Sequence, residues 1–217
     1  MVGYLVAWAL ALVWLLVSIE VGGLVPFMSQ AVRIVSGHAA AAVALLVALA
    51  ILARFWKSLG LVLPALGTYS RQDWGRGLLA TFGLYLAHHV FVLSRHQPQE
   101  PWMAQVAGFN TLNYLIMAAG AITVVPLSEE VMFRQILSRL PAKPMPRIDV
   151  RLGVAMAVAC LAFAAMHYQY QFASTIVLVG AVGVVCMWAR WRTGGLALPI
   201  ALHSFASLLA LAFNALY

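Results

Sequence analysis

Glu129, Glu130 and Arg134 lie within six residues of one another, and long apolar runs flank them on both sides. On a helix, residues four apart are neighbours, so Glu130 and Arg134 are placed to pair, in the favoured acid-before-base order. Glu129 is turned by about 100° from Glu130 and needs a different partner. A carboxylate in a dry site, beside a histidine and a water, is suited to act as a general base. Two later segments supply histidines. Phe163-Ala-Ala-Met-His167 ends on one, and His203-Ser-Phe-Ala-Ser207 sets an imidazole and a hydroxyl one turn apart on one helix face.

The elements that must position these groups are membrane helices. The chain has 217 residues, of which 64% are hydrophobic and 9% charged, with a mean hydropathy of +0.94. A soluble domain carries about a quarter charged residues. A membrane helix needs roughly 20 mostly apolar residues. Seven such spans are expected, at 4–27, 38–55, 77–94, 105–138, 151–167, 172–190 and 195–216, the fourth kinked or broken at Pro126. The first span has no basic leader and contains Glu20, unlike a cleaved signal. Counted from Leu140 at 1.5 Å per residue, Glu129 lies about 16 Å deep, near the middle of a ~30 Å hydrocarbon layer. His203, counted from Arg192, reaches about the same depth, and His167, counted from Arg151, lies about 24 Å in. Ionised groups at that depth cost roughly 2.5–3.5 kcal/mol each and face the interior of a bundle.

The net charge of +7 does not point to nucleic acid, because its distribution follows the positive-inside rule. Arg54, Lys57, Arg71 and Arg76 follow span 2; Arg139, Lys143, Arg147 and Arg151 follow span 4; Arg190 and Arg192 follow span 6. The opposite loops hold only Arg33 and Arg95. The expected arrangement is an all-α polytopic bundle with a cytoplasmic N-terminus and an outward C-terminus. It forms a single integral membrane domain over 1–217, with generic spans over 1–100 and the chemistry over 105–216. Residues 57–67 are apolar but too short to span, and suit the interface. Gly180 and Gly183 in span 6 read as close helix packing. Cys160 and Cys186 read as buried, inert thiols.

In their order and spacing, Glu129-Glu130-x-x-x-Arg134, Phe163-x-x-x-His167 and His203-x-x-x-Ser207 resemble the motifs of the CAAX-protease and bacteriocin-processing family, the Rce1-like group of glutamate intramembrane proteases. The surrounding PLSEEVMFRQIL and RTGGLALPIALH fit as well, and the resemblance covers roughly residues 120–210. It implies a core built from helices 4–7. Glu129 would activate water, with His167 orienting it or sharing its proton, and Glu130, Arg134 and Phe163 would support the site. His203 and the residue four positions on would stabilise the oxyanion. That residue is usually asparagine in the family and is Ser207 here, a shorter and less fixed donor. Loss of one oxyanion donor costs about 10²–10³ in rate. Asn214 shares the face but lies about 10 Å further along the helix.

The resemblance thus implies endopeptidase cleavage of a membrane-anchored protein or peptide within the lipid bilayer, with no cofactor and no nucleic acid. The substrate classes are a C-terminal sorting tail, a peptide precursor or a CAAX-like terminus. A bacterial cell membrane is the expected location. Three other readings use the same residues. Zinc could be held by the histidines and carboxylates, although no HExxH occurs. A peptide binder without catalysis would tolerate the serine. A proton-coupled transporter would use Glu20 and the pair His88-His89.

Overall fold

The computed structural model describes residues 2–24, 27–52, 55, 64–144 and 147–216. Its elements are α1 (Val2–Gly23), α2 (Gln30–Leu52), α3 (Arg71–Ser94), α4 (Pro101–Ala107), α5 (Thr111–Ile122), α6 (Val124–Glu130) running on into a π-helical stretch (Val131–Leu137), α7 (Val150–Ala165), α8 (Ala173–Thr193) and α9 (Ala197–Asn214). Among the described residues, five stretches are long and apolar enough to cross a membrane: α2, α3, the run Thr111–Leu137, α8 and α9. Shorter apolar helices, Leu5–Val21 within α1 and Val150–Ala165, stand where spans 1 and 5 are expected.

The burial pattern is that of a protein dissolved in lipid. Leu12 and Leu16 on α1, Val43 and Ile51 on α2, Leu79 and Val90 on α3, and Val177 on α8 are exposed. Ser128, Glu130, Arg134, Gln135, Ser138 and Arg190 are buried. In lipid an outward leucine costs nothing, whereas a polar group must find its partners inside the protein. The chain is an integral membrane helix bundle. Its centre is α6 and the π-helical stretch, in contact with α1, α2, α5, α7, α8 and α9.

Two sets of contacts define the two ends of the bundle. At one, Thr68 N–H donates to Thr193 O at 3.0 Å, and the α9 N-terminus is capped by a strap, with Leu196 N–H donating to Ala65 O at 2.8 Å and Ala197 N–H to Leu66 O at 3.2 Å. Gly195 lies against the backbone of Leu66 and Gly67, where no side chain fits, and Gly194 turns the chain at φ 68° against Lys143. Arg192 Nε lies 3.1 Å from Asp73 Oδ1. At the other end, Glu100 accepts from Gln171 N–H, Phe172 N–H and Thr175 Oγ1–H at 2.8, 3.2 and 2.9 Å, which ties down the entry into α8. Gln99 Nε2 there donates to Asn214 Oδ1 at 2.8 Å.

Several boundaries differ from the sequence expectation for local reasons. Helix α2 starts at Gln30 rather than 38, so Arg33 and His38 are helical. Helix α3 starts at Arg71 rather than 77, where Ser70 and Asp73 form a reciprocal capping box. The fourth span is four pieces. Pro101 opens α4, and the Asn110 side chain accepts from Asn113 N–H to cap α5. The break falls at Thr123 (φ −119°, ψ −74°) rather than at Pro126. Proline lacks an N–H and its ring collides with the carbonyl four residues back, so the disruption lands upstream. The π-helical stretch, closed by Ser138 N–H donating to Phe133 O at 3.2 Å, had no sequence signal. Arg54, Lys57 and residues 57–63 of the interfacial segment lie outside the described residues; 64–67 form the strap at α9.

Candidate active site

The three motifs arrive on three elements. Glu129 and Glu130 end α6 and Arg134 follows in the π-helical stretch. Phe163 lies in the last turn of α7, with His167 in the turn beyond it, and His203 lies in the second turn of α9. The lower half of the site is a buried electrostatic chain. Arg134 Nε lies 3.1 Å from Glu130 Oε2, with both side chains fully buried. Glu130 Oε1 accepts from His203 Nδ1–H at 2.9 Å. The other ring nitrogen, His203 Nε2, lies 3.8 Å from Glu129 Oε2. The pairing of Glu130 with Arg134 follows the helix geometry. For Glu129 the nearest charged partner is His203, whose imidazole stands between the two carboxylates, while His167 shares a cavity wall with Glu129.

Charge balance follows from that chain. Two carboxylates and one guanidinium leave a net negative charge in a buried, low-dielectric place, which is costly. The imidazole of His203 stands between the two carboxylates, with Nδ1 at 2.9 Å from Glu130 Oε1 and Nε2 turned to the side where Glu129 stands.

Phe163 organises the aromatic layer. Its ring is 1% exposed, and its centroid is 4.7 Å from His167 and 5.5 Å from His203. Arg134 Cζ stands 4.6 Å over the same ring, a cation–π contact that compensates part of the buried charge. Gly183 makes room for it, since a Cβ there would lie 2.9 Å from Phe163 Cδ1. His167 Nδ1 lies 2.8 Å from Phe163 O. A carbonyl only accepts, so Nδ1 carries the hydrogen and the neutral ring keeps its lone pair on Nε2.

Above this floor lies a cavity of about 300 Å³. Glu129 and His167 line it, together with Trp14 and Ser18 of α1, Ile34 and His38 of α2, Trp102 of α4, and Met166 to Gln169. Neither His203 nor Ser207, half-buried one turn beyond it, is among its lining residues. Asn214 is tied to Gln99 and to Met103 O at 2.8 and 3.4 Å, at the end of α9. Glu20 is exposed on α1, while His88 and His89 line a separate cavity with Tyr85 and Glu100. Among the described residues, no group of three or more His, Cys, Asp or Glu is arranged to hold a metal ion.

The sequence did not single out two residues that support this site, Trp14 and Arg190. Trp14 Nε1–H donates to Ser128 Oγ at 2.6 Å, one residue before Glu129, and its ring meets Phe133 edge-on at 5.8 Å. Arg190, read from sequence only as a topological charge, is fully buried. It donates to Leu140 O at 2.8 Å, Pro141 O at 3.0 Å and Gln135 Oε1 at 3.1 Å. It thus satisfies carbonyls just past the end of the π-helical stretch. A tryptophan in an apolar span and an arginine at a helix end carry no local mark of such roles.

The chain is 32% identical over 118 residues to the "Uncharacterized 24.3 kDa protein" of Escherichia coli, a match covering 54% of this chain. It spans about half of that relative, 53% of its length. No solved structure matches. The family "Type II CAAX prenyl endopeptidase Rce1-like" matches residues 111–209, which run from the start of α5 into α9 and hold all three motifs. Over that stretch the chain is similar to the Rce1-like family.

Proposed function

We propose that the protein is an intramembrane endopeptidase in which Glu129 activates a water for attack on a peptide bond. The observation that carries the reading is the convergence of Glu129, the Glu130–Arg134 pair and His203 in one buried group, of which Glu129 reaches the wall of a cavity that His167 also lines. Glu129 takes a proton from water, and the resulting hydroxide oxygen bonds to the scissile carbonyl carbon. His167, with its Nε2 lone pair free, orients that water or shares the proton. The carbonyl oxygen becomes an oxyanion and is met by His203 Nε2–H, held in place by Glu130 through Nδ1. Collapse breaks the C–N bond, and the proton taken from water goes to the leaving amine. Ser207 is a candidate second donor to the oxyanion.

The substrate is a membrane-anchored protein or peptide: a C-terminal sorting tail, a peptide precursor or a CAAX-like terminus. The location is a bacterial cell membrane, and the reaction as written uses no cofactor. Glu129→Gln and His167→Ala each abolish cleavage while the protein still inserts and folds. Comparing the C-termini of membrane proteins between wild-type and Glu129→Gln cells identifies the products. Full turnover by Glu129→Gln removes the mechanism. A peptide-binding role without catalysis is favoured by one observation, the absence of both His203 and Ser207 from the cavity wall; it predicts peptide retention by both wild type and Glu129→Gln, with no product from either.

A further inference from the structure

The cavity above Glu129 has a side of the membrane, and three observations fix which. First, the basic residues gather at one end. The strap at 64–68, the loop at 139–144 and the turn at 193–197 meet there. That end holds Arg71, Arg76, Arg139, Lys143, Arg147, Arg151, Arg190 and Arg192 against the acids Asp73 and Asp149; the opposite end holds Arg33 and Arg95 against Glu20 and Glu100. Positive charge is retained on the cytoplasmic side, so the strap end is cytoplasmic.

Second, the cavity wall comes from the other end. Ser18 lies near the close of α1, Ile34 and His38 in the first turns of α2, Trp102 on α4, and Tyr168 and Gln169 past the end of α7. The rim carries Tyr168, 78% exposed, and Ile19, 55% exposed. Third, the cytoplasmic end is closed below the site. Met132, Phe133, Ile136 and Leu140 are buried there. Arg190 stitches α8 to Gln135, Leu140 and Pro141, and Gly194 and Gly195 bring three backbone segments into contact.

We propose that the active-site cavity opens to the extracytoplasmic side, and that the protein acts on membrane-protein segments or tails exposed on that side. The substrate half of this proposal rests on the endopeptidase reading; the sidedness does not. The substrate must therefore be delivered by translocation across the membrane before cleavage. A terminus carrying its modification on the cytoplasmic face does not reach Glu129. The wall suits such a segment: Trp14, Ile34, Trp102 and Met166 offer apolar contact, and His38 Nδ1, buried without a hydrogen-bond partner, is available to a peptide backbone. Leaving that atom unpaired is unfavourable, and an extended chain supplies the missing group.

The test is labelling with a membrane-impermeant maleimide in right-side-out and inverted vesicles. Wild type, whose Cys160 and Cys186 lie in the bundle, is the background. Gln169→Cys and Tyr168→Cys report on the rim, and Lys143→Cys on the strap end. The expected result is labelling of the two rim variants in right-side-out vesicles, with loss of that labelling in inverted ones, and the reverse for Lys143→Cys. Rim labelling only in inverted vesicles overturns the proposal. A second arm co-expresses two single-span reporters, one with an outward and one with an inward tail. Cleavage of the outward reporter alone supports the substrate assignment, and cleavage of the inward one alone overturns it. Outward rim labelling with neither reporter cut, across a panel of tail sequences, leaves the sidedness standing and counts against the endopeptidase reading.

Discussion

Replacing Arg134 with methionine removes the cation beside Glu130 while keeping a long, flexible side chain over the Phe163 ring. Glu130 and Arg134 are both fully buried, so water cannot take over the pairing. Removing one member of such a pair costs about 3–5 kcal/mol, because the other charge stays buried and uncompensated. The second contact of Glu130, with His203 Nδ1 at 2.9 Å, survives, which puts the expected loss at the lower end, about 3 kcal/mol. Combining Glu130→Gln with Arg134→Met removes both charges and keeps both shapes. Neutral replacement of a buried pair is commonly close to neutral for stability, so the double variant recovers most of the loss. Unfolding by denaturing detergent in mixed micelles, followed by circular dichroism, reads all three stabilities. Activity follows a different order. The double variant folds, but His203 no longer faces a carboxylate through Nδ1, so the imidazole proposed to meet the oxyanion loses its anchor. Cleavage falls by about 10²–10³. An Arg134→Met protein as stable as wild type, or a double variant no more stable than the single, refutes the charge-balance argument.

Three further substitutions probe the surroundings. Gly183→Ala puts a Cβ 2.9 Å from Phe163 Cδ1 and 3.4 Å from Cε1; overpacking of this kind costs about 1–3 kcal/mol, and a Phe163→Leu second change returns stability but not cleavage, read by the same unfolding assay and a product gel. Trp14→Phe keeps the ring against Phe133 and removes the donor to Ser128 Oγ, with an expected loss of about 1–3 kcal/mol in detergent unfolding and slower cleavage from a less fixed Glu129. Ser207→Asn preserves or raises turnover if Ser207 occupies the second oxyanion position; a fall in turnover in a properly folded variant argues that it does not.

The parts of this fold that depend on one helix were legible in the sequence, and the parts that depend on two were not. Of the seven spans expected from hydropathy, five stand as membrane-length stretches and two as shorter apolar helices among the described residues, and the Glu130–Arg134 pair follows from a spacing of four on a helix. The depth count brought His203 to the level of Glu129, and their nitrogen and oxygen lie 3.8 Å apart. The choice of Glu130 as the hydrogen-bond partner of His203 depends on how α9 is rotated against α6, and rotation has no signature in either helix alone. The π-helical stretch is similarly hidden. It shifts Arg134, Gln135 and Ser138 by a fraction of a turn, and its stability comes from neighbours such as Arg190, 52 or more positions further along than Ser138. Thr123 rather than Pro126 marks the break because proline acts on the carbonyl behind it.

The Rce1-like stretch, 111–209, holds the floor of the site, whereas much of the wall stands outside it. Trp14, Leu15, Ser18 and Ile19 of α1, Ile34 and His38 of α2, and Trp102 of α4 all precede residue 111. On the proposed reading, chemistry and selection are carried by different parts of the chain. They are not independent, because Trp14 does both: its ring lines the cavity and its Nε1–H fixes Ser128 beside Glu129. A change of wall that loses the donor at position 14 also loosens the floor. Substrate preference can shift through Ile34, His38 or Trp102, which touch the cavity without touching the buried group below it. Swapping those three positions should alter which peptide is cut and leave the Glu129Gln-sensitive step intact, whereas a swap at Trp14 should lower cleavage of every peptide alike.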